Sequence, residues 1–129
     1  MTIEACIKCS DIKSSLSFYT EILDFSVQVA PDPDTNAFMS KYALLRRDNS
    51  LLHLSSHAGD GVFGNLIYVR AEGIDELYEK FVSRGINTDD PDKYPAVTIH
   101  LTDQSWGMRE FSVRDPDGNK ITFGQEISK

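Results

Sequence analysis

The pattern of apolar and polar positions along the chain predicts eight β-strands and two α-helices. The clearest feature is a hairpin, in which residues 111–113 and 121–123 alternate apolar and polar side chains on either side of a turn. A period of two is typical of a strand with one buried face. In the turn, Pro116 presets φ for the second position, and Gly118 tolerates the positive φ that closes it. The stretch is therefore predicted to be a pair of antiparallel strands.

The two helices follow from apolar residues at helical spacing. One is predicted at Ile12–Leu23, with Asp11 as its N-cap, and the other at Ile74–Arg84, ended by Gly85. The six remaining strands are predicted at Ile3–Cys9, Phe25–Ala30, Phe38–Arg47, Leu51–Ser56, Asn65–Ala71 and Val97–Leu101.

The second half of this order repeats the first. When residue 5 is laid on residue 67, apolar or small residues coincide in both halves: Ala5, Ile7, Cys9, Ile12, Leu16 and Tyr19 fall on Ile67, Val69, Ala71, Ile74, Tyr78 and Phe81. We therefore expect one α+β domain over residues 1–129, built from two βαβββ modules at about 1–57 and 64–129. Each sheet would carry a helix on one face and leave a concave face for a ligand, a partner or the chain's own side chains.

Charge and composition narrow the range of functions. The net charge of −7 argues against nucleic acid and suits a cationic small molecule, although an acidic surface also keeps an ordinary protein in solution. No apolar run approaches the roughly 20 residues that cross a bilayer. Residues 1–4 lead directly into a strand, so no signal peptide is expected. These features predict a cytoplasmic protein.

Cys6 and Cys9 form a Cys-x-x-Cys sequence, a spacing found in redox pairs and zinc sites. Because side chains alternate along a strand, an offset of three directs the two thiols to opposite faces. They are predicted to be structural thiols in a reducing compartment.

Trp106, followed by Gly107, precedes the first strand of the hairpin, where a large ring is either part of the core or a stacking platform. The stretch 106–111, together with residues 11–19, 23–25 and 115–119, resembles the vicinal oxygen chelate superfamily of glyoxalases, bleomycin-resistance proteins and extradiol dioxygenases. The resemblance covers essentially the whole chain, and residues 73–78 and 106–111 are most similar to bleomycin-binding members. It implies paired βαβββ modules around a half-open barrel cleft, assembled as a homodimer.

Metal enzymes of this superfamily use four ligand positions, which fall on Glu4, His53, Leu66 and Thr122 in this sequence. A leucine supplies no donor atom, whereas a divalent metal needs three or more nitrogen or oxygen ligands. The resemblance therefore implies that the metal site is lost, and we expect neither a metal nor another cofactor. Glu4 and His53 are weak candidates for a metal-free acid/base pair, the alternative being a local role for each. His100 has no evident partner in the sequence.

The resemblance also implies an aromatic ligand site. Tyr68 and Trp106 match positions at which bleomycin-binding members stack aromatic rings on the drug. Phe38 and Tyr42 lie on a strand that is expected to reach the same cleft, and Ser55 shares one strand face with His53. The predicted ligand-binding residues are Phe38, Tyr42, His53, Ser55, Tyr68 and Trp106.

These observations predict a metal-independent, dimeric, cytosolic protein that sequesters a planar aromatic molecule, such as a cationic antibiotic, and so confers resistance. A binding protein is favoured over an enzyme. The alternative is a divalent-metal enzyme of the same superfamily, acting as a glyoxalase or other lyase, an isomerase or a dioxygenase. A third hypothesis is a scaffold dimer whose cleft is filled by its own side chains. Neither nucleic acid nor a membrane is expected as a partner.

Overall fold

The computed structural model describes residues 1–127, which form eight strands and two α-helices in a repeated βαβββ order. No helix within this range is long and apolar enough to cross a membrane. The last two residues of the predicted second module lie outside the described part of the chain. The elements are β1 (Ala5–Lys8), α1 (Ile12–Ser17), β2 (Ser26–Val29), β3 (Tyr42–Arg47), β4 (Ser50–Ser55), β5 (Leu66–Arg70), α2 (Ile74–Ser83), β6 (Ala96–Asp103), β7 (Met108–Arg114) and β8 (Lys120–Glu126).

The chain divides into two compact units, Met1–Phe63 and a second that begins at Gly64. Each unit holds one four-stranded sheet, with the order β1-β4-β3-β2 in the first and β5-β8-β7-β6 in the second. In both sheets the first strand pairs in parallel with the last strand, and the other pairs are antiparallel. The predicted α+β class with two βαβββ modules is confirmed.

In the first unit, one face of the sheet forms the core beneath the helical segment. Leu45 and Leu54 are fully buried on this face, Ile7 lies beside Leu54 in the sheet, and Tyr19 contributes a buried ring from the segment after α1. Because side chains alternate along each strand, the residues between them emerge on the opposite face. His53 of β4 is one of these.

In the second unit, α2 covers one face of the sheet with aromatic packing. The ring of Phe81 lies 5.3 Å from that of Phe123, which stacks on Phe111 at 5.0 Å. All three side chains are buried. The same alternation places Tyr68 of β5 and Glu110 of β7 on the face away from α2.

The predicted hairpin turn between β7 and β8 is present, and it is also the anchor for the start of β5. Asp115 Oδ1 accepts hydrogen bonds from the backbone N–H groups of Asp117 and Asn119 at 2.9 and 3.0 Å. Asn119 Oδ1 accepts from the backbone N–H groups of Gly64 and Asn65, at 2.9 and 3.0 Å. Asp115 and Asn119 are fully buried, so these bonds satisfy polar groups that water does not reach.

The predicted helix at Ile12–Leu23 changes type halfway. Asp11 is the N-cap as predicted, since its carboxylate accepts a hydrogen bond from the backbone N–H of Lys13 at 3.2 Å. After Ser17, however, the chain makes a turn of π-helix at Phe18–Ile22, where the N–H of Leu23 donates to the carbonyl of Phe18 at 3.3 Å. The predicted helix is therefore present over nearly its whole length, but it is π-helical rather than α-helical after Ser17.

The predicted strand Phe38–Arg47 is too long at its start. A short 3-10 helix occupies Met39–Lys41, and β3 begins only at Tyr42. The cause is local hydrogen bonding: Asn36 Oδ1 accepts from the Met39 N–H at 2.9 Å. Phe38 therefore lies on a turn rather than on a strand. Similarly, Ile3 and Glu4 precede β1, which begins at Ala5.

Asn119→Ala is expected to lower the free energy of unfolding by about 3 kcal/mol, because it leaves the backbone N–H groups of Gly64 and Asn65 without their acceptor and removes the amide donor to Oδ2 of the buried Asp115. Urea unfolding followed by circular dichroism measures this difference. Asn49→Ala, at an exposed turn position in the first unit, is the matched control and should change the stability little. Equal effects of the two substitutions would contradict the anchoring role of Asn119.

Candidate ligand-binding site

The predicted site residues fall into two clusters, one in each unit. The first cluster consists of Glu4, Phe38, Tyr42 and His53, together with His57, which the sequence did not predict as a site residue. The second cluster consists of Tyr68, Trp106 and Glu110, the last of which the sequence did not predict. Each cluster lies on the sheet face that the helix of its unit does not cover, or on the loops that border that face.

His53 is the centre of the first cluster. Its Nδ1 lies 2.6 Å from the hydroxyl of Tyr42, and its Nε2 lies 2.8 Å from Oε1 of Glu4. A carboxylate only accepts hydrogen bonds, so Nε2 donates to Glu4, and in this tautomer of the neutral ring Nδ1 accepts from the Tyr42 hydroxyl. The structure thus brings together the two residues that the sequence paired as acid/base candidates. It adds Tyr42 to them, whose strand lies next to that of His53.

The pKa of Tyr42 is raised above its ordinary value, first by burial and then by the nearby Cys6 thiol and Glu4 carboxylate. The phenol therefore holds its proton and remains the donor to His53. A hydrogen-bonded series of this kind fixes the direction of each ring. It also presents Tyr42 and His53 as one polar and aromatic edge.

Phe38 and His57 extend this edge with apolar surface. The Phe38 ring stacks on Tyr42, with centroids 5.8 Å apart and planes 20° apart, and meets His57 edge-on at 5.2 Å. Phe38 is 41% exposed, so one side of the ring remains open to solvent. Aromatic rings in such contacts prefer stacked and edge-on geometries, which another planar group can continue.

Ser55 shares its strand face with His53, as predicted, but it is buried. Its hydroxyl donates to the carboxylate of Asp60 at 2.8 Å and accepts from the backbone N–H of His57 at 3.1 Å. These bonds hold the loop that carries His57. Direct ligand contact by Ser55 stays a prediction.

In the second cluster, two exposed rings converge on one buried carboxylate. The Tyr68 hydroxyl and the Trp106 indole N–H both donate to Oε2 of Glu110, at 2.5 and 3.2 Å. Trp106 is 63% exposed and Tyr68 is 44% exposed, whereas Glu110 is only 6% exposed. The exposure of Trp106 excludes the core role that the sequence left open, and the stacking platform stays a prediction.

Gly124 of β8 makes this arrangement sterically feasible. It lies opposite Glu110 in the sheet, and a methyl group at Gly124 would be 2.7 Å from Cζ of Tyr68. Real carbon atoms do not approach so closely without a bond. The absence of a side chain at this position lets Tyr68 lie across β8 and reach Glu110.

The pKa of Tyr68 is raised to about 12, first by burial and then by its hydrogen bond to Glu110 and the charge of that carboxylate, while Arg70 opposes the shift. The phenol therefore keeps its proton across the physiological range. It acts as a donor to Glu110 throughout.

The sequence does not single out Glu110, because an acidic residue that alternates with apolar residues along a strand normally faces solvent. The available signal was its position on the same strand face as Ser112 and four residues after Trp106. His100, which has no evident partner in the sequence, finds one in the fold, since its Nδ1 lies 2.5 Å from the hydroxyl of Tyr78. That pair joins α2 to β6, and no local pattern reveals it.

The superfamily's metal-ligand positions do not form a metal site in this chain. Glu4 and His53 are hydrogen-bonded to each other, Leu66 has no donor atom, and the hydroxyl of Thr122 lies 2.8 Å from that of Ser112. Within residues 1–127, no group of three or more His, Cys, Asp or Glu side chains is arranged to hold a metal. The residues present therefore do not fit a resident divalent metal.

The sequence of this chain matches a known protein family and is similar to curated resistance proteins. The family model described as "Glyoxalase superfamily protein" matches residues 2–129. The chain is 30% identical over 135 residues to a bleomycin resistance protein of Geobacillus stearothermophilus, covering 91% of this chain and 90% of that protein.

Solved structures give the same picture of the fold. A bleomycin-binding protein from bleomycin-producing Streptomyces verticillus, complexed with copper(II)-bleomycin, is 26% identical with a TM-score of 0.69, covering 100% of this chain and 98% of that chain. A bleomycin-binding protein complexed with bleomycin is 24% identical with a TM-score of 0.74, covering 98% of both chains.

The pKa of Tyr68 makes the stability of the protein depend on alkaline pH. Its folded-state pKa of about 12 exceeds the ordinary value of 10.0, so between these values the folded state binds more protons than the unfolded chain. The contribution is complete below about pH 10 and is lost as the pH rises toward about 12. Urea unfolding across this range should therefore show a steeper loss of stability for the wild type than for Tyr68→Phe. Parallel pH profiles for the two proteins would contradict the assignment.

Proposed function

The chain belongs to the glyoxalase superfamily, and on this basis we propose that it is an antibiotic-binding resistance protein of the bleomycin type. It captures a planar aromatic molecule and releases it chemically unchanged. The observation that carries the proposal is the exposed pair Tyr68 and Trp106, both held in place by the buried carboxylate of Glu110.

Two large rings left open to water are unfavourable for an isolated protein and favourable for a binding site. Their hydrogen bonds to Glu110 fix the polar end of each ring, so the faces need little further ordering when a ligand stacks on them. Preorganised aromatic surface is how a site gains affinity for planar molecules. The acidic net charge of −7 adds attraction for cationic ones.

The relatives that match nearly the whole chain are named for bleomycin resistance, and two of the similar structures are bleomycin-binding proteins. Bleomycin is therefore the first ligand to test. The first cluster supplies a second aromatic surface, in which Phe38, Tyr42 and His53 are proposed to contact the ligand.

Sequestration is favoured over catalysis because the side chains at the superfamily's ligand positions do not fit a divalent metal. Leu66 lacks a donor, and the hydroxyl of Thr122 is engaged by Ser112. His53 and Glu4 bind each other and Tyr42, which stabilises a fixed surface. Resistance by capture requires only tight binding, and no chemical step is needed for it.

We further propose that the protein is a cytoplasmic homodimer. Several large apolar side chains are exposed, including Ile3 at 95%, Val62 at 65% and Leu66 at 66%, and a second copy would bury such surface. Cys6 is a free, exposed thiol and Cys9 is buried, and a free thiol is compatible with a reducing compartment.

Trp106→Ala and Tyr68→Ala are each expected to weaken bleomycin binding roughly 30-fold, the effect of removing an interface residue worth about 2 kcal/mol. Isothermal titration calorimetry is the appropriate measurement, because Trp106 is the only tryptophan and its removal abolishes intrinsic tryptophan fluorescence.

Phe63→Ala is the matched control, since Phe63 is 51% exposed and belongs to neither cluster. It should leave the affinity within about twofold of wild type. If both cluster variants bind bleomycin as tightly as this control does, stacking on Tyr68 and Trp106 is not the basis of recognition.

A further inference from the structure

We propose that Glu110 is the anchor for a cationic group of the ligand, an ammonium, amidinium or guanidinium group that pairs with its carboxylate beside the rings of Tyr68 and Trp106. This inference rests on the proposed function and deepens it, because it names the chemical class that the site selects. It follows from the burial of Glu110, from its partners and from the oxygen that those partners leave open.

Glu110 is a buried charge whose partners are neutral. The indole N–H of Trp106 and the hydroxyl of Tyr68 both donate to Oε2, and neither donor carries a positive charge. Within residues 1–127, no lysine or arginine forms an ion pair with it. Removing a carboxylate from water without a cation is unfavourable, and a cationic ligand would relieve that penalty.

Two arginines adjoin residues of the second cluster, and both interact with other groups. Arg109 adjoins Glu110 in sequence, but strand alternation directs it away, to Asp103 at 2.6 Å and to Asp75 at 3.2 Å. The guanidinium of Arg70 lies over the Tyr68 ring, 6.0 Å from its centroid. Neither of these two arginines therefore forms an ion pair with Glu110.

The second oxygen of Glu110, Oε1, accepts no hydrogen bond from residues 1–127. In the same range, the side-chain oxygens that are fully buried and lack a hydrogen-bond partner are those of Ser15 and Thr98. Oε1 also lacks a partner but is not one of them, so it is not fully buried. Oε1 therefore keeps some contact with solvent, and we infer that a cation approaches it from there. The exposed ring faces of Tyr68 and Trp106 then add cation–π attraction to the ion pair.

Glu110→Gln separates this role from a purely structural one. Glutamine retains an oxygen that accepts from Tyr68 and Trp106, so the rings keep their partner, but the negative charge is lost. Glu79→Gln is the matched control, because it removes the same charge from an exposed position on α2, the helix that covers the other face of the sheet. Thermal unfolding and near-ultraviolet circular dichroism establish that both variants are folded.

The test uses two probes of equal shape, 2-naphthylmethylammonium and 2-naphthylmethanol, which differ in the cationic group. Calorimetric titration of the wild type is expected to give at least tenfold tighter binding for the ammonium compound. Glu79→Gln should preserve this preference, and Glu110→Gln should reduce it to less than threefold. In parallel, bleomycin should bind Glu110→Gln at least tenfold more weakly than it binds the wild type, with a smaller dependence on salt.

The outcomes separate the anchor from the proposed function. If bleomycin binds wild type and Glu110→Gln equally, the anchor is wrong and the binding function stands. If bleomycin does not bind the wild type but the ammonium preference exists and requires Glu110, the anchor stands and the bleomycin assignment fails. A wild type that does not prefer the ammonium probe, or a preference that survives Glu110→Gln, overturns the anchor.

Discussion

Each sheet of this protein has two faces and one helix to cover them. Strand alternation gives the covered face its apolar side chains, such as Leu54 in the first unit and Phe123 in the second. The other face must be stabilised differently, because exposed apolar surface is unfavourable and unpaired polar groups are unfavourable when buried. The two units meet this constraint in different ways. The difference explains on which sheet a ligand is expected to gain most binding free energy.

In the first unit, the uncovered face satisfies its own polar groups. Glu4, His53 and Tyr42 are linked by hydrogen bonds of 2.8 and 2.6 Å, which leave both imidazole nitrogens occupied. In the second unit, Tyr68 and Trp106 satisfy one oxygen of Glu110 and leave its charge without a cation in the described residues. The polar groups of the first surface are therefore paired with one another, whereas we propose that the second surface gains stability from a positively charged, planar partner. Affinity and selectivity then have separate sources, in the rings and in the carboxylate.

Much of the fold could be predicted because it depends on local periodicity. The β7–β8 hairpin has alternating apolar residues and a Pro-x-Gly turn, and Asp11 has the side chain that an N-cap requires. Local signals failed where a competing local bond prevailed, as when the Asn36 side chain holds Met39 in a 3-10 turn and shortens β3. They also failed at the π-helical turn after Ser17, which no apolar spacing distinguishes from an α-helix.

The site was less predictable, since its contacts join residues that are distant in sequence. Tyr68 meets Glu110 across β8, and this requires both the strand register and the missing side chain at Gly124. Tyr78 and His100 meet between a helix and a strand for the same kind of reason. The resemblance to bleomycin-binding proteins placed Tyr68 and Trp106 at a site, but the carboxylate that orients them is evident only from the three-dimensional structure.

The most direct test of the central claim is equilibrium dialysis of the wild-type protein against bleomycin, followed by mass spectrometry of the ligand after release. We expect saturable binding in a fixed stoichiometry and a recovered ligand of unchanged mass. Failure to bind, or a ligand that returns chemically altered by the protein, would contradict capture without chemistry.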